Sequence, residues 1–170
     1  VEKGGLQFSS DPEVLTEVVS AVRKVTHKFL IVKLSPNVTD ITLLAKAAEN
    51  AGADALSVCN TFVVMSIDLK TRKPYLANRT GGLSGPAIKP LALNLVYQTA
   101  RAVKIPIIGI GGITSGEDAV EFLLAGAKAV QIGTANFIDP TATLNVIDGI
   151  CKYCLSNGVN NLSELKMMED

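Results

Sequence analysis

The most informative stretches of the sequence are IPIIGIGGI at residues 105–113 and AVQIGTANF at residues 129–137. In each, a short apolar run leads into a glycine turn, Gly111-Gly112 in the first and Gly133-Thr134 in the second. The two turns lie 22 residues apart, about the length of one helix and one strand. In (β/α)8 barrels, the loops after the seventh and eighth strands often bind a phosphate through glycine N–H groups. The spacing therefore predicts a barrel and a phosphorylated cofactor.

Apolar runs alternate with amphipathic segments along the rest of the chain. Strands are predicted at residues 29–34, 55–59, 105–110 and 129–132. Helices are predicted at residues 11–25, 39–51, 87–103, 116–124 and 141–155. Asp40 is placed in the first turn of the second helix, and Gly52 ends that helix. Strict alternation of this kind predicts an α/β fold, the second half of a TIM (β/α)8 barrel, with the apolar runs as its strands five to eight.

A doubly wound sheet is the alternative topology, because residues 109–114 superficially match a dinucleotide-binding glycine turn. The match fails at Thr114, where that pattern requires glycine or alanine three residues after Gly111. No strand-end carboxylate follows about 20 residues later either. The barrel is therefore favoured. The remaining long connection, residues 60–86, is expected to be functional or disordered.

Composition narrows the function classes. Lys and Arg together number 16, as do Asp and Glu, so the formal net charge is zero and nothing favours nucleic-acid binding. No apolar run approaches the ~20 residues that cross a bilayer. Three cysteines are too few for a disulfide framework and favour a reducing compartment, so we expect a cytoplasmic protein. Cys151 and Cys154 form a CxxC on a predicted helix without a second pair, so they are interpreted as helix thiols and no metal site is expected.

The carboxyl ends of the predicted strands carry the candidate site. Lys33 ends the first apolar run, Asn60-Thr61 follows the second, and the two glycine turns follow the others. An ammonium can stabilise an anion, and an amide can pair with a planar polar ring. The simpler interpretations are a lysine that extends to solvent and glycines that only shape turns. His27 lies at the amino end of a predicted strand, and residues at that end of a barrel contribute mainly to stability and not to catalysis.

Five strings occur in order across nearly the whole chain. They are VKLSPNVTDI (32–41), CNTF (59–62), DLKTRKPYLANRTGGLSGPAIKP (68–90), PIIGIGGI (106–113) and AVQIGTANF (129–137). Together they resemble class 1 dihydroorotate dehydrogenases, most closely the NAD-linked subclass 1B. The resemblance implies an FMN-containing barrel that oxidises dihydroorotate to orotate in pyrimidine biosynthesis, with a hydride passing from substrate C6 to flavin N5 as a base removes the C5 proton.

The resemblance also implies residue roles. Lys33 would contact the flavin ring and stabilise negative charge on the reduced form, and the Cys59 backbone would lie beside the flavin. Asn60 and Thr61 would bind the orotate ring. Gly85 would approach FMN, while Gly111, Gly112, Gly133 and Thr134 would bind its phosphate, which agrees with the interpretation of the glycine spacing.

The catalytic base is expected outside this chain. Family members use a cysteine on a mobile loop. VEKGGLQFSSDPE at residues 1–13 resembles the segment just after that cysteine, so the base is placed upstream of Val1. Cys59 occupies a flavin-contact position and cannot replace it. Residues 1–170 are thus expected to be the C-terminal part of a single FMN-binding barrel, inactive without its N-terminal half.

Partners are implied by the same resemblance. Subclass 1B enzymes pair with an electron-transfer subunit that carries FAD and a 2Fe-2S cluster and passes electrons to NAD, and a homodimer is expected. Two alternatives stay open at this point. One is another flavin barrel acting on pyrimidines, such as the FMN domain of dihydropyrimidine dehydrogenase. The other is a half-barrel that binds a phosphorylated ligand or a partner without catalysis, whose sheet would have two unpaired edge strands.

Overall fold

A computed structural model describes residue 8 and residues 10–168. Its strands are β1 (Ile31–Leu34), β2 (Ala55–Val58), β3 (Phe62–Met65), β4 (Ile67–Asp68), β5 (Lys73–Pro74), β6 (Thr80–Leu83), β7 (Ile107–Ile110) and β8 (Ala129–Gln131). Its helices are α1 (Pro12–Val25), α2 (Ile41–Asn50), α3 (Lys89–Ala102), α4 (Gly116–Leu124), α5 (Ala135–Ile138) and α6 (Ala142–Ser156). Short 3₁₀ turns occur at Pro86–Ile88 and Leu162–Glu164. The N-terminal segment whose resemblance locates the catalytic base lies largely outside the described residues.

The main sheet is parallel, and its strand order is β1-β2-β7-β8. Lys33 pairs with Ser57 in β2, Val58 with Gly109 in β7, and Ile110 with Gln131 in β8. Each strand pairs with the next strand of the βα series, as in a barrel, whereas a doubly wound sheet reverses its strand order at a switch point. The predicted fold class is confirmed, and the doubly wound alternative is wrong.

Local signals set the helix ends. The Asp11 carboxylate accepts hydrogen bonds from the N–H groups of Glu13 and Val14 at the start of α1. Asp40 was predicted in the first turn of α2, but it is the N-cap, because its carboxylate accepts from the Thr42 N–H at 2.8 Å. Gly52, with φ +98°, lies just beyond the C-terminus of α2 in a conformation that side chains disfavour.

The hydrophobic core lies between the sheet and the helices. Leu34, Leu56 and Ile107 are fully buried strand residues, and Phe122 of α4 is buried with them. A Cβ atom at Gly109 would lie 2.5 Å from the Phe122 ring, so the absence of a side chain in β7 lets α4 approach the sheet. This packing fixes the position of α4 and of the loop that leads into it.

The connection predicted at residues 60–86 is not a structureless loop. Strands β3 and β6 pair antiparallel over four residues each, and β4 pairs with β5 inside the same hairpin. The prediction missed them because β4 and β5 have two residues each and β6 is TGGL, a sequence poor in strand-forming residues. We call residues 62–83 the hairpin extension.

Two further observations concern the described part of the chain. None of its helices combines the length and the hydrophobicity that crossing a membrane requires. Within residues 10–168, Cys59 is buried, Cys151 is exposed and Cys154 is half-buried, and all three are free thiols.

Candidate functional site

A cleft of about 210 Å³ lies at the carboxyl ends of the four parallel strands. All nine site residues predicted from the sequence line it: Lys33, Cys59, Asn60, Thr61, Gly85, Gly111, Gly112, Gly133 and Thr134. Ser84 and Phe137 line it as well. Since parallel strands end at the same edge of a sheet, residues as distant in sequence as Lys33 and Phe137 meet here.

The Gly111-Gly112 turn follows β7 and packs tightly against the start of α3. Gly112 has φ +75°, and a Cβ atom there would lie 2.7 Å from the Lys89 backbone nitrogen and 2.8 Å from the Gly85 carbonyl oxygen. These contacts are with backbone atoms, which cannot move aside as a flexible side chain can. At position 112, only glycine fits without displacing the neighbouring backbone.

Gly133 is different. Apart from its own residue and its two chain neighbours, no atom of the described chain lies within 4 Å of the place where its Cβ would be, and its φ is outside the left-handed region. Within residues 10–168, no protein group accepts a hydrogen bond from the N–H of Gly112 or Gly133. The chain itself therefore gives no packing reason for glycine at Gly133, and both turns offer backbone donors to a ligand.

The turn after β8 is tied to the loop before α3. The Thr134 hydroxyl donates a hydrogen bond to the Ser84 hydroxyl oxygen at 2.8 Å. Ser84 precedes Gly85, which has φ +90° and caps the 3₁₀ turn at Pro86–Ile88. This bond links two of the three glycine-bearing segments around the cleft.

Lys33 lies on the face of β1 opposite to the helices. The strand ends at Leu34, as predicted, and alternation turns Leu34 into the core and Lys33 away from it. Its register partner Ser57 is buried and donates to the Gln131 side-chain oxygen of β8 at 2.8 Å. Lys33 therefore lies beside a polar pair on the face of the sheet that a closed barrel would turn inward.

Cys59 is buried beside Lys33 at the end of β2. Its N–H donates to the Ile110 carbonyl of β7 at 3.0 Å, and the Val58–Cys59 peptide bond is cis. Burial raises the pKa of the Cys59 thiol to about 12, and the Lys33 charge only partly opposes that shift. Near neutral pH the thiol is therefore protonated and cannot act as a base.

Asn37 positions the Asn60-Thr61 segment, and sequence reasoning missed it. Its Nδ2 donates to the Thr61 carbonyl at 3.0 Å, and its Oδ1 accepts from the Val63 N–H at 2.9 Å. The Asn60 Oδ1 accepts from the Thr61 N–H at 2.9 Å, which leaves the Asn60 amide donors for a ligand. The turn-forming Ser-Pro-Asn sequence at residues 35–37 was the available signal.

Asp118 and Lys89 were also missed. The Asp118 carboxylate accepts hydrogen bonds from Thr114, Ser115 and Lys89, all next to the Gly111-Gly112 turn. Burial alone would raise the pKa of Asp118, but the hydrogen bonds from Lys89, Thr114 and Ser115 outweigh it and lower the pKa to about 2. The available signal was the capping sequence that places an acidic residue three positions after Ser115.

The fold defines part of a (β/α) barrel, and the cleft lies at the carboxyl ends of its strands and is lined by the two glycine turns. Residues 1–153 match the family described as Dihydroorotate dehydrogenase. The chain therefore belongs to the dihydroorotate dehydrogenase family.

Curated relatives agree with this family. The chain is 58% identical over 165 residues to proteins from Pelobacter propionicus and Geotalea daltonii, each named "Dihydroorotate dehydrogenase B (NAD(+)), catalytic subunit". The alignments cover 97% of this chain and 54% of each relative, so the chain spans about half their length. The resemblance to the NAD-linked subclass is confirmed.

Solved structures show the same fold. Dihydroorotate dehydrogenase from Eimeria tenella in complex with ferulenol matches with a TM-score of 0.74 and 25% identity, over 91% of this chain and 48% of that one. A ligand-free form of the Eimeria tenella protein matches with a TM-score of 0.78 and 24% identity, over 95% and 51% of the respective chains. The roles of the nine cleft residues stay predictions.

Proposed function

We propose that this chain is the C-terminal half of a single FMN-binding (β/α)8 barrel that oxidises dihydroorotate to orotate in pyrimidine biosynthesis. The observation that carries the proposal is the meeting of all nine predicted site residues in one cleft. The family and the relatives' names supply the reaction, and the cleft supplies groups that suit it.

The glycine turns fit the phosphate of FMN. Gly112 and Gly133 have N–H groups without an acceptor in the described part of the chain, and Gly133 leaves room where a side chain would stand. Backbone donors can bind a phosphate without a basic surface, which suits a chain with zero formal net charge. Gly85 and Thr134 complete this part of the cradle. When bound, FMN would supply the N5 atom that accepts a hydride from substrate C6.

Lys33 would lie against the flavin ring and hold a positive charge where negative charge develops. Its ammonium is on the inward face of the sheet, beside the hydrogen bond between buried Ser57 and Gln131. A preorganised charge in such a site stabilises the developing anion without reorganisation of solvent. Lys33 is therefore proposed to accelerate hydride transfer more than it strengthens binding.

Asn60 and Thr61 are proposed to bind the substrate ring. Asn37 and the internal Asn60–Thr61 bond fix this segment, so the Asn60 amide would be presented in one orientation. Cys59 is not proposed as the base, because its buried thiol stays protonated. The C5 proton would be removed by a cysteine on a loop outside the described residues.

The relatives' names include "catalytic subunit", which supports a partner subunit. We propose that this partner carries FAD and a 2Fe-2S cluster and passes electrons to NAD, and that the catalytic subunit forms a homodimer. A cytoplasmic location is part of the same proposal, supported by the three free thiols of the described chain.

The proposal is tested by the visible absorption spectrum of the full-length polypeptide, before and after anaerobic addition of dihydroorotate. We expect a flavin band that bleaches on addition, with orotate formed in equal amount. A flavin band that persists would retain the cofactor and overturn the substrate. Absence of any flavin band would favour a half-barrel that binds another phosphorylated ligand.

A further inference from the structure

We propose that Asp118, together with Lys89, is a positioning residue that holds the Gly111-Gly112 turn in the conformation that binds the FMN phosphate. This inference rests on the proposed function. Asp118 does not line the cleft, so it would act through the turn and not by touching the cofactor.

Asp118 gathers the residues that follow the glycines. Its Oδ2 accepts from the Thr114 N–H at 2.9 Å, the Thr114 hydroxyl at 2.8 Å and the Ser115 N–H at 3.0 Å. Thr114 itself lines the cleft, two residues after Gly112. Three donors on one carboxylate oxygen leave the loop little freedom to shift.

Lys89 connects the same carboxylate to the other side of the turn. Its Nζ donates to Asp118 Oδ1 at 2.7 Å and to Glu121 Oε1 at 3.0 Å. Its backbone nitrogen lies against Gly112, within 2.7 Å of where a Cβ atom would be. One residue thus contacts the turn through its backbone and Asp118 through its side chain.

This arrangement assigns Lys89 a role other than phosphate binding. Two carboxylates already engage its ammonium, so the positive charge of Lys89 is neutralised within the protein. The Asp118 side chain is only 14% exposed, and it loses its charged partner if Lys89 is replaced. The turn would then relax away from the geometry that its N–H donors need.

The test compares FMN with riboflavin, which has the same ring and lacks the phosphate. Apoprotein of the full-length polypeptide is titrated with each ligand, and quenching of ligand fluorescence gives both dissociation constants. For Asp118→Ala we expect FMN affinity to fall about tenfold or more, equivalent to about 1.4 kcal/mol, with riboflavin affinity unchanged within about twofold. The preference for FMN over riboflavin should therefore be lost.

Glu121→Gln is the matched control, because Glu121 shares the Lys89 partner and makes no bond to Thr114 or Ser115. It should keep the FMN preference of the unaltered protein. Lys89→Met should behave like Asp118→Ala. Circular dichroism of each variant confirms that it is folded.

The outcomes separate this inference from the function it rests on. If the unaltered protein binds no FMN, or binds FMN and riboflavin equally, the phosphate site itself is wrong. If the unaltered protein prefers FMN and Asp118→Ala retains that preference, or loses both ligands equally, positioning of the turn is overturned. A Glu121→Gln variant as impaired as Asp118→Ala would also overturn it.

Discussion

The strand-end cleft and the hairpin extension are held together differently. The cleft and the residues that support it join segments far apart in sequence through side-chain bonds, such as Thr134 to Ser84 in the cleft and Lys89 to Asp118 behind it. The hairpin extension depends on local antiparallel pairing and exposes large apolar side chains, among them Leu69 at 87% and Tyr75 at 74%. Substitutions should therefore act on function at the cleft and have little effect on stability in the extension.

The largest effect is expected for Gly112→Ala. Alanine at this position would have to adopt φ +75°, and its Cβ atom would overlap backbone atoms of Lys89 and Gly85. We expect loss of FMN binding and a fall of about 3 kcal/mol in the free energy of unfolding, measured in urea. Gly133→Ala is the control for stability, since the Cβ atom at that position meets open space. This substitution should weaken FMN binding without reducing the free energy of unfolding. Equal destabilisation by both would contradict the assigned difference between the turns.

Lys33→Met should slow the chemical step next most strongly. Loss of the ammonium is expected to reduce the rate of flavin reduction by dihydroorotate about 100-fold, with a much smaller change in FMN affinity. Anaerobic stopped-flow absorbance measures the rate directly. Lys128→Met serves as the control, because that lysine follows α4 and does not line the cleft. An unchanged rate in Lys33→Met would remove Lys33 from the site.

Acid should weaken the hydrogen bonds that the Asp118 carboxylate accepts from Lys89, Thr114 and Ser115. The pKa of Asp118 is about 2 in the folded protein against an ordinary 3.8, so its stabilising contribution is present above about pH 4 and is lost as the pH falls towards 2. Between pH 6 and pH 2.5, the free energy of unfolding in urea should fall by roughly 1 to 2 kcal/mol less for Asp118→Asn than for the unaltered protein. Parallel pH profiles for the two proteins would contradict this account of the network.

Thr134→Val should have a smaller effect. It removes the hydroxyl that bonds to Ser84 and keeps the shape of the side chain. We expect about 1 kcal/mol less stability in urea unfolding. Ser84→Ala in the Thr134→Val background should add nothing further, because the bond is already absent. An additive effect of the two substitutions would show that the hydroxyls do not act as a pair.

The smallest effect is expected in the hairpin extension. Leu69→Ser replaces an apolar side chain that is almost fully exposed, so the free energy of unfolding should change by less than about 0.5 kcal/mol. Leu56→Ser, in the buried β2 strand, provides the contrast and should be strongly destabilising. A large loss with Leu69→Ser would mean that the extension is covered in the folded protein and would break the comparison.

The same contrast explains how much could be predicted from sequence. Glycine turns and polar residues after apolar runs are local signals, so the four main strands, Lys33, Asn60, Thr61 and the two glycine turns could be identified before the fold was known, whereas Cys59 and Gly85 were identified through the family resemblance. The pairing of β3 with β6 depends on residues 15 or more positions apart and on a TGGL strand with weak propensity, so residues 60–86 were predicted as a loop.

The residues that support the cleft were not predicted from sequence, for a related reason. Asp118 carries an ordinary capping signal, and nothing local shows that Lys89, 29 positions earlier, returns to its carboxylate. Asn37 similarly bridges to Thr61 and Val63 across 24 and 26 positions. Sequence reasoning identified groups that lie in the cleft, and the groups that hold them in place emerged only from the three-dimensional contacts.

We expect a flavin phosphate to be bound between the two glycine turns. A crystal structure of the full-length polypeptide with FMN tests it most directly. We expect phosphate oxygens within about 3.2 Å of the N–H nitrogens of Gly112 and Gly133. A phosphate bound elsewhere, with both turns free of contact, would contradict it.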